Sequence, residues 1–347
     1  MKYPDRSVTG YTMKPNCYIF LLIVLVFLVL AILSGCQGVS RNNNGEIDYR
    51  KEMRAFVESI AEYARSKEPN FIIIPQNGAE LVSSTGEANG PADMNYLAAI
   101  NGMGQESLFY GYLQDDVETP PETTEWTSSF LDLARDNGNI RILVTDYCST
   151  PSKMDISYSM NNSRGYISFA ADHRGLDDIP GYPAFPYNSN SSDIAELSQA
   201  KNFLYLIDPE NYGSVDTYTK ALADTDYDVI IMDLFFASTA LTSNQVSGLK
   251  TKASGGKRLL IAYMSIGEAE DYRYYWKVEW AVNPPKWLKE ENPDWPGNYK
   301  VEYWDKDWQD IIYGNKDSYI EKILAAGFDG AYLDIIDAFE YFEEAQR

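Results

Sequence analysis

An α/β fold of eight βα units, a (β/α)8 or TIM barrel, is the class this sequence predicts. Three observations lead there. Short apolar runs alternate with helical patterns along the chain, the signature of parallel βα units. Those runs number eight. A polar group stands at the end of every run, and in a (β/α)8 barrel the strand ends converge on one mouth.

Taken in order, a helix over Tyr49–Ser66 precedes a strand over Phe71–Ile74, which runs into Gln76 and Asn77. A second strand is predicted over Ser107–Tyr112, with Glu106 at its mouth. A helix over Thr124–Asn137 stops at Gly138, and the strand Ile140–Thr145 leads to Asp146. Tyr166–Ala170 leads to Asp172 and His173, and Phe203–Ile207 to Asp208 and Asn211. Ser214 reads as the capping serine of a helix to Ala223. Asp228–Met232 is followed by Asp233, and a helix over Ser243–Ala253 stops at Gly255-Gly256. Arg258–Met264 leads to Ser265 and Glu268. One helix is predicted from Asp305 to Ala326, stopping at Gly327. The last strand, Asp329–Leu333, runs into Asp334 and Asp337. A carboxylate at the end of an apolar strand is costly to keep charged. Asp337 reads equally as the cap of a helix starting near Ala338.

The 347 residues are 45% apolar, enough for a large core. Residues 1–35 read as a lipoprotein signal. Lys2, Arg6 and Lys14 precede an apolar run from Tyr18 to Leu33 that is short for a bilayer span. The run ends in Leu33-Ser34-Gly35-Cys36, which resembles a lipobox with Cys36 as the lipidated residue; an uncleaved anchor is the alternative. Residues 36–47 read as a flexible linker and 48–347 as a single catalytic domain. The expected location is outside the cytoplasm, as a membrane-anchored lipoprotein, periplasmic or at the cell surface. Beyond Cys17 and Cys36 only Cys148 remains, and His173 is the only histidine, so a disulfide framework and a His-rich metal site are excluded. Net charge is −22, or −24 without the leader's +2. That argues against nucleic acid; it suits a cationic partner, or simply solubility.

An insertion over 268–304 is unusual. Eleven Tyr and Trp residues fall between Tyr272 and Trp308, including six of the seven tryptophans. Proline-stiffened aromatics beyond a strand end suit stacking on sugar rings; about half of them are expected to pack in a hydrophobic cluster and a few, with Trp276 and Trp280 as the candidates, to line the groove. Carboxylates, amides and aromatics, without a metal cluster or phosphate loop, point to glycoside hydrolysis. That reaction needs two carboxyl groups and no cofactor.

The segments "YMSIGEAEDYRYYW", "ENPDWPGNY", "GFDGAYLDIIDAFEYF" and "FIIIPQNGAEL" resemble glycoside hydrolase family 114, the endo-α-1,4-polygalactosaminidase family, in its bacterial extracellular branch. The resemblance covers residues 47–176 and 201–337. It implies a (β/α)8 barrel that hydrolyses α-1,4-linked galactosamine or N-acetylgalactosamine polymer, a cationic polysaccharide partner. It implies Asp334 and Glu106 as the catalytic pair, with Asp233 and the Tyr263 region also matching. The two parts occur in reversed order, so the chain looks circularly permuted. On this reading Asp334 is the nucleophile and Glu106 the acid/base of a retaining reaction. Asp233, Glu268 and Asp337 would hold sugar hydroxyls or amines, beside Gln76, Asn77 and Asp146. A non-catalytic glycan-binding barrel, or a hydrolase of another α-galactoside, is the alternative.

Overall fold

The first helix, α1 (Tyr49–Lys67), shows how the sequence builds these elements. Asp48 caps it, accepting from Lys51 N at 3.0 Å. Met53, Phe56, Val57, Ile60, Ala61 and Ala64 recur at helical spacing and are all buried. The structure is a computed structural model and describes residues 39–42 and 45–346, with the chain from Asp48 onward forming one unit. The leader, its apolar run and Cys36 lie outside the described residues.

Eight parallel strands carry the architecture. The first six are β1 (Ile72–Pro75), β2 (Gly102–Glu106), β3 (Arg141–Tyr147), β4 (Ile167–Ala171), β5 (Phe203–Leu206) and β6 (Val229–Asp233). A short hairpin follows, β7 (Phe235–Phe236) with β8 (Thr239–Ala240), then the seventh parallel strand, β9 (Leu259–Ser265). The insertion supplies β10 (Glu268–Glu270), β11 (Leu288–Glu291) and β12 (Asn298–Val301), and β13 (Gly330–Asp334) is the eighth parallel strand. Helices α2 (Met94–Ala99), α3 (Pro121–Gly138), α4 (Pro151–Ser163), α5 (Val215–Ala223), α6 (Ser243–Leu249), α7 (Lys306–Ile312), α8 (Tyr319–Ala326) and α9 (Ala338–Ala345) lie between and after them.

One parallel sheet has the order β1-β13-β9-β6-β5, the other β2-β3-β4. They meet where Gln76 bridges Gly104, with Asn77 N donating to Gly104 O at 2.9 Å. At the other junction Phe169 of β4 packs on Phe203 of β5, ring centroids 5.9 Å apart. Among the described residues neither junction carries a ladder like those within the sheets. The result is the parallel α/β fold the sequence predicts, its strands buried almost throughout. Burial on both faces is why they read as unbroken apolar runs.

Two expectations fail, each for a local reason. The second strand is Gly102–Glu106, not Ser107–Tyr112. Glycine is a poor strand former, yet here it is required. A Cβ on Gly104 would sit 1.8 Å from the Tyr332 hydroxyl, and one on Gly102 would sit 3.0 Å from Arg141 O. The expected single helix over Asp305–Ala326 is two, α7 and α8, broken at Gly314 (φ 97°). Within the aromatic insertion the short strands β10, β12 and β11 form an antiparallel sheet.

Candidate active site

Glu106 is the last residue of β2 and Asp334 the last of β13, with β1 between them. The backbone turns sharply at all three strand ends. Asn77 (φ 62°), Ser107 (φ 55°) and Ile335 (φ 58°) are non-glycine residues in the left-handed region. Such a conformation costs of order 1 kcal/mol or more and is rarest for a β-branched residue such as Ile335. It has a local use. Ile335 N folds back and donates to Asp334 Oδ1 at 2.8 Å.

Asn77 links β1 to the glutamate. Its Oδ1 accepts from Glu106 N at 3.1 Å and from Gln105 Nε2 at 3.3 Å, and its Nδ2 donates to Glu106 Oε2 at 3.0 Å. The other carboxylate oxygen, Oε1, accepts from the Tyr147 hydroxyl. Arg174 lies over the Tyr147 ring, 4.4 Å from its centroid. Asp334 is 9% exposed. Its Oδ2 accepts from the Tyr263 hydroxyl at 2.7 Å. Burial first, then the charge of Glu106, pushes the Asp334 carboxyl up to about 7. Burial and Asp334 push Asp337 up to about 8, and burial with Glu80 pushes Glu340 up to about 7. A cavity of about 700 Å³ opens here, lined by Asn77, Glu80, Glu106, Trp126, Arg174, Asp337 and others.

The structure thus brings together Asp334, Glu106, Asn77, Tyr263 and Asp337. Gln76 lies beneath them, buried, with its Oε1 accepting from Tyr205 OH at 2.9 Å. The remaining expected site residues are engaged elsewhere. Asp233 binds Arg273, whose Nη1 lies 2.7 Å from its Oδ2, and accepts from Phe235 N at 2.7 Å. Arg273 also binds Glu270 (Nε to Oε2, 2.6 Å), closing a buried ionic cluster. Glu268 accepts from Asn292 Nδ2 at 2.8 Å within the insertion. Asp146 is fully buried. Its Oδ1 accepts from Phe109 N and Tyr110 N, its Oδ2 from Ser157 Oγ and Asn161 Nδ2, so it fastens the loop after β2 rather than meeting a ligand.

Trp276 and Trp280 do not line this cavity. Trp280 packs edge-on against Trp276 and Trp287, and Trp287 against Trp308, with centroids 5.1–5.3 Å apart. Trp276, Trp280 and Trp287 thus form a hydrophobic cluster with Trp308, while Trp295 is exposed. The cavity's aromatic walls are Trp126, 50% exposed, and Tyr112, 56% exposed. Sequence reasoning missed both, and also Tyr147, Arg273 and Glu80. Trp126 carried one usable signal, as the only tryptophan outside the aromatic segment.

Asp172, His173 and Asp178 place one ligand atom each within 4.8 Å of one another. Both His173 nitrogens already face carboxylates, Nδ1 on Asp172 and Nε2 on Asp177. Burial works to lower the ring, but those bonds outweigh it and raise it. That stabilises imidazolium, which is not a metal ligand.

Residues 187–347 match the model of glycoside-hydrolase family GH114. The stretch contains Asp334, Asp337, Tyr263 and Asp233; Glu106 and Asn77 lie before it. The chain is similar to an uncharacterised protein of Methanocaldococcus jannaschii, 40% identical over 155 residues, 45% of this chain and 42% of that one. It is similar to one of Thermotoga maritima, 51% identical over 84 residues, 24% of this chain and 25% of that one. A Deinococcus radiodurans protein is 47% identical over 91 residues, 26% of this chain and 28% of that one. The chain therefore matches less than half the length of each of these curated relatives. The likeness to glycoside-hydrolase family GH114 thus rests on residues 187–347.

Proposed function

We propose that this chain is a glycoside hydrolase cleaving an α-1,4-linked galactosamine or N-acetylgalactosamine polymer, with Asp334 and Glu106 as its catalytic pair. One observation carries the reading. The two carboxylates stand at strand ends one strand apart, Glu106 lining the cavity and Asp334 buried behind it, and among the described residues no cation pairs with either. The cavity wall supports a cationic chain: Glu80, Glu106, Glu122, Asp337 and Glu340 line it against Arg174 alone. Trp126 and Tyr112 offer faces for sugar rings.

The surroundings favour roles opposite to those expected from the sequence. Asp334, held protonated near neutral pH by burial and by Glu106, is the general acid. Its proton passes to the glycosidic oxygen as the bond to the anomeric carbon breaks. Glu106, fixed by Tyr147 and Asn77 with both oxygens accepting, attacks that carbon. Asp334 then takes a proton from the water that displaces Glu106, which retains configuration.

Three further parts belong to this reading. The two parallel sheets form one (β/α)8 barrel. The chain is a circular permutant of its family order. Cys36 carries lipid that tethers the domain outside the cytoplasm; among the described residues no helix is long and apolar enough to cross a membrane. The test is a panel of polysaccharides with reducing-end detection, and anomer-resolved NMR of the first product. Hydrolysis of another α-galactoside, or binding without release of reducing ends, sinks the assignment.

A further inference from the structure

Among the described residues that line the cavity, Arg174 is the only cation. It stands three residues beyond the end of β4, and its side chain crosses to the loop after β2. Nε lies 2.7 Å from Asp115 Oδ1, and Nη2 donates to Gly111 O. So anchored, the guanidinium covers the Tyr147 ring, 4.4 Å from its centroid. Tyr147 is buried, and its hydroxyl donates to Glu106 Oε1. With one face covered, the ring holds that hydroxyl on the glutamate. The cation also makes the hydroxyl a better donor. Burial and Glu106 tighten the grip of Tyr147 on its proton, and Arg174 works against both.

The loop that presents Arg174 is closed by the lone histidine. His173 Nδ1 lies 2.7 Å from Asp172 Oδ1, and Nε2 lies 2.5 Å from Asp177 Oδ1. An ionised carboxylate only accepts, so both ring nitrogens carry a hydrogen and the ring is imidazolium. Gly175 makes room for it, since a Cβ there would meet His173 Cδ2 at 2.9 Å. Asp178 brings a third carboxylate to the cluster. From the turn after β5, Asn211 Nδ2 donates to Asp177 Oδ2 at 2.5 Å, and Tyr212 is raised by burial first and then by Asp178. Leu176 O accepts from Ile207 N at 2.9 Å and Asp208 N at 3.2 Å, which fastens the far side of the loop to the end of β5. Arg174 lies inside this closed loop. Loss of the His173 proton leaves Asp172, Asp177 and Asp178 repelling one another, which loosens it.

We propose that Arg174 is a positioning residue for Glu106, acting through Tyr147, and that the His173 clasp holds the loop that presents it. This rests on the function proposed above and deepens it: the orientation of the attacking carboxylate depends on the loop after β4 as well as on the strand ends.

The positioning is tested by a double-mutant cycle on a hydrolysed polysaccharide. Arg174→Met and Tyr147→Phe should each lower kcat about 10-fold to 100-fold with KM within about twofold, and the double variant should be no worse than Tyr147→Phe alone. Additive losses, or a raised KM with kcat unchanged, overturn the positioning role. If no polysaccharide is cleaved, the proposed function falls, and a crystal structure of Arg174→Met decides the positioning by itself. There the Tyr147 hydroxyl should leave Glu106, and an unmoved bond overturns the role. The clasp is read by NMR on the single histidine. Its imidazole resonances should titrate above the ordinary midpoint of about 6.5, and Asp177→Asn and Asp172→Asn should each lower that midpoint. A midpoint at or below the ordinary value, or one that neither variant moves, overturns the clasp. Amide exchange over residues 172–178 should be about tenfold faster in Asp177→Asn than in wild type at the same pH. Equal rates overturn the hold on the loop.

Discussion

Two carboxylate groups stand at strand ends of this molecule and meet opposite fates. Asp233, at the end of β6, joins Glu270 around Arg273, which approaches their oxygens at 2.6–3.2 Å. Asp334 and Glu106, at the ends of β13 and β2, have only hydroxyl, amide and backbone donors. The first group is held together by a cation and serves structure. The second has no cation, so burial first and then the charge of Glu106 push Asp334 up to about 7. A strand-end carboxylate is therefore not by itself a catalytic signal; the missing cation is. The cation sits in "EDYRYYW", where its neighbours are aromatic and its partner strand is distant in sequence.

The largest expected effects come from breaking the unneutralised pair. Asp334→Asn and Glu106→Gln should each lower turnover by about 100-fold to 10,000-fold on a hydrolysed polysaccharide. Near-normal turnover in either variant would remove that residue from the pair. Breaking the neutralised group should act on folding instead. Arg273→Ala leaves Asp233 and Glu270 buried without a cation, and chemical denaturation should show a loss of about 3–5 kcal/mol. If stability holds while only activity falls, Arg273 belongs to the catalytic group and the contrast collapses.

The pH dependence of stability separates the two groups further. A carboxyl raised in the fold keeps its proton where the unfolded chain has lost it, so stability is full below the unfolded value and declines as pH rises. For Asp334 the decline runs from about 4 to about 7. Asp334→Asn removes it, so melting curves should show the variant gaining on wild type across that window, by roughly 1–3 kcal/mol near pH 8. A constant difference across the window contradicts the buried, repelled carboxylate.

The smallest effects test which aromatics meet sugar. Trp126→Ala, on a half-exposed ring at the cavity, should raise KM about 3-fold to 30-fold with little change in melting temperature. Trp280→Ala, inside the insertion's cluster, should change the melting temperature and leave KM alone. The reverse outcome would return the insertion to the role expected from its sequence.

Much of this was legible in the chain itself. Seven of the eight parallel strands lie within a residue or two of their apolar runs, because strands buried on both faces leave a continuous hydrophobic trace. Asp334, Tyr263 and Asn77 were legible as polar residues on or beside those traces. The second strand was not, since Gly102 and Gly104 answer to the Tyr332 hydroxyl and Arg141 O, residues far along the chain. Nor was the role of the aromatic insertion. Composition says that Trp276 and Trp280 are aromatic, but only packing says whether their partners are Trp287 and Tyr299 or a ligand.

The sequence by itself determined the class of fold, the strand ends that carry the proposed pair and the acidic, aromatic character of the molecule, because periodicity, charge and residue type are local properties. Tertiary structure alone decided which carboxylates meet a cation or a full set of donors. Arg273 neutralises Asp233, four protein donors hold Asp146, and Glu106, Asp334 and Glu80 are left without a cation. The physical reason is that the cost of a buried charge depends on what stands within a few ångströms, and those neighbours come from strands as far apart in sequence as β2 and β13.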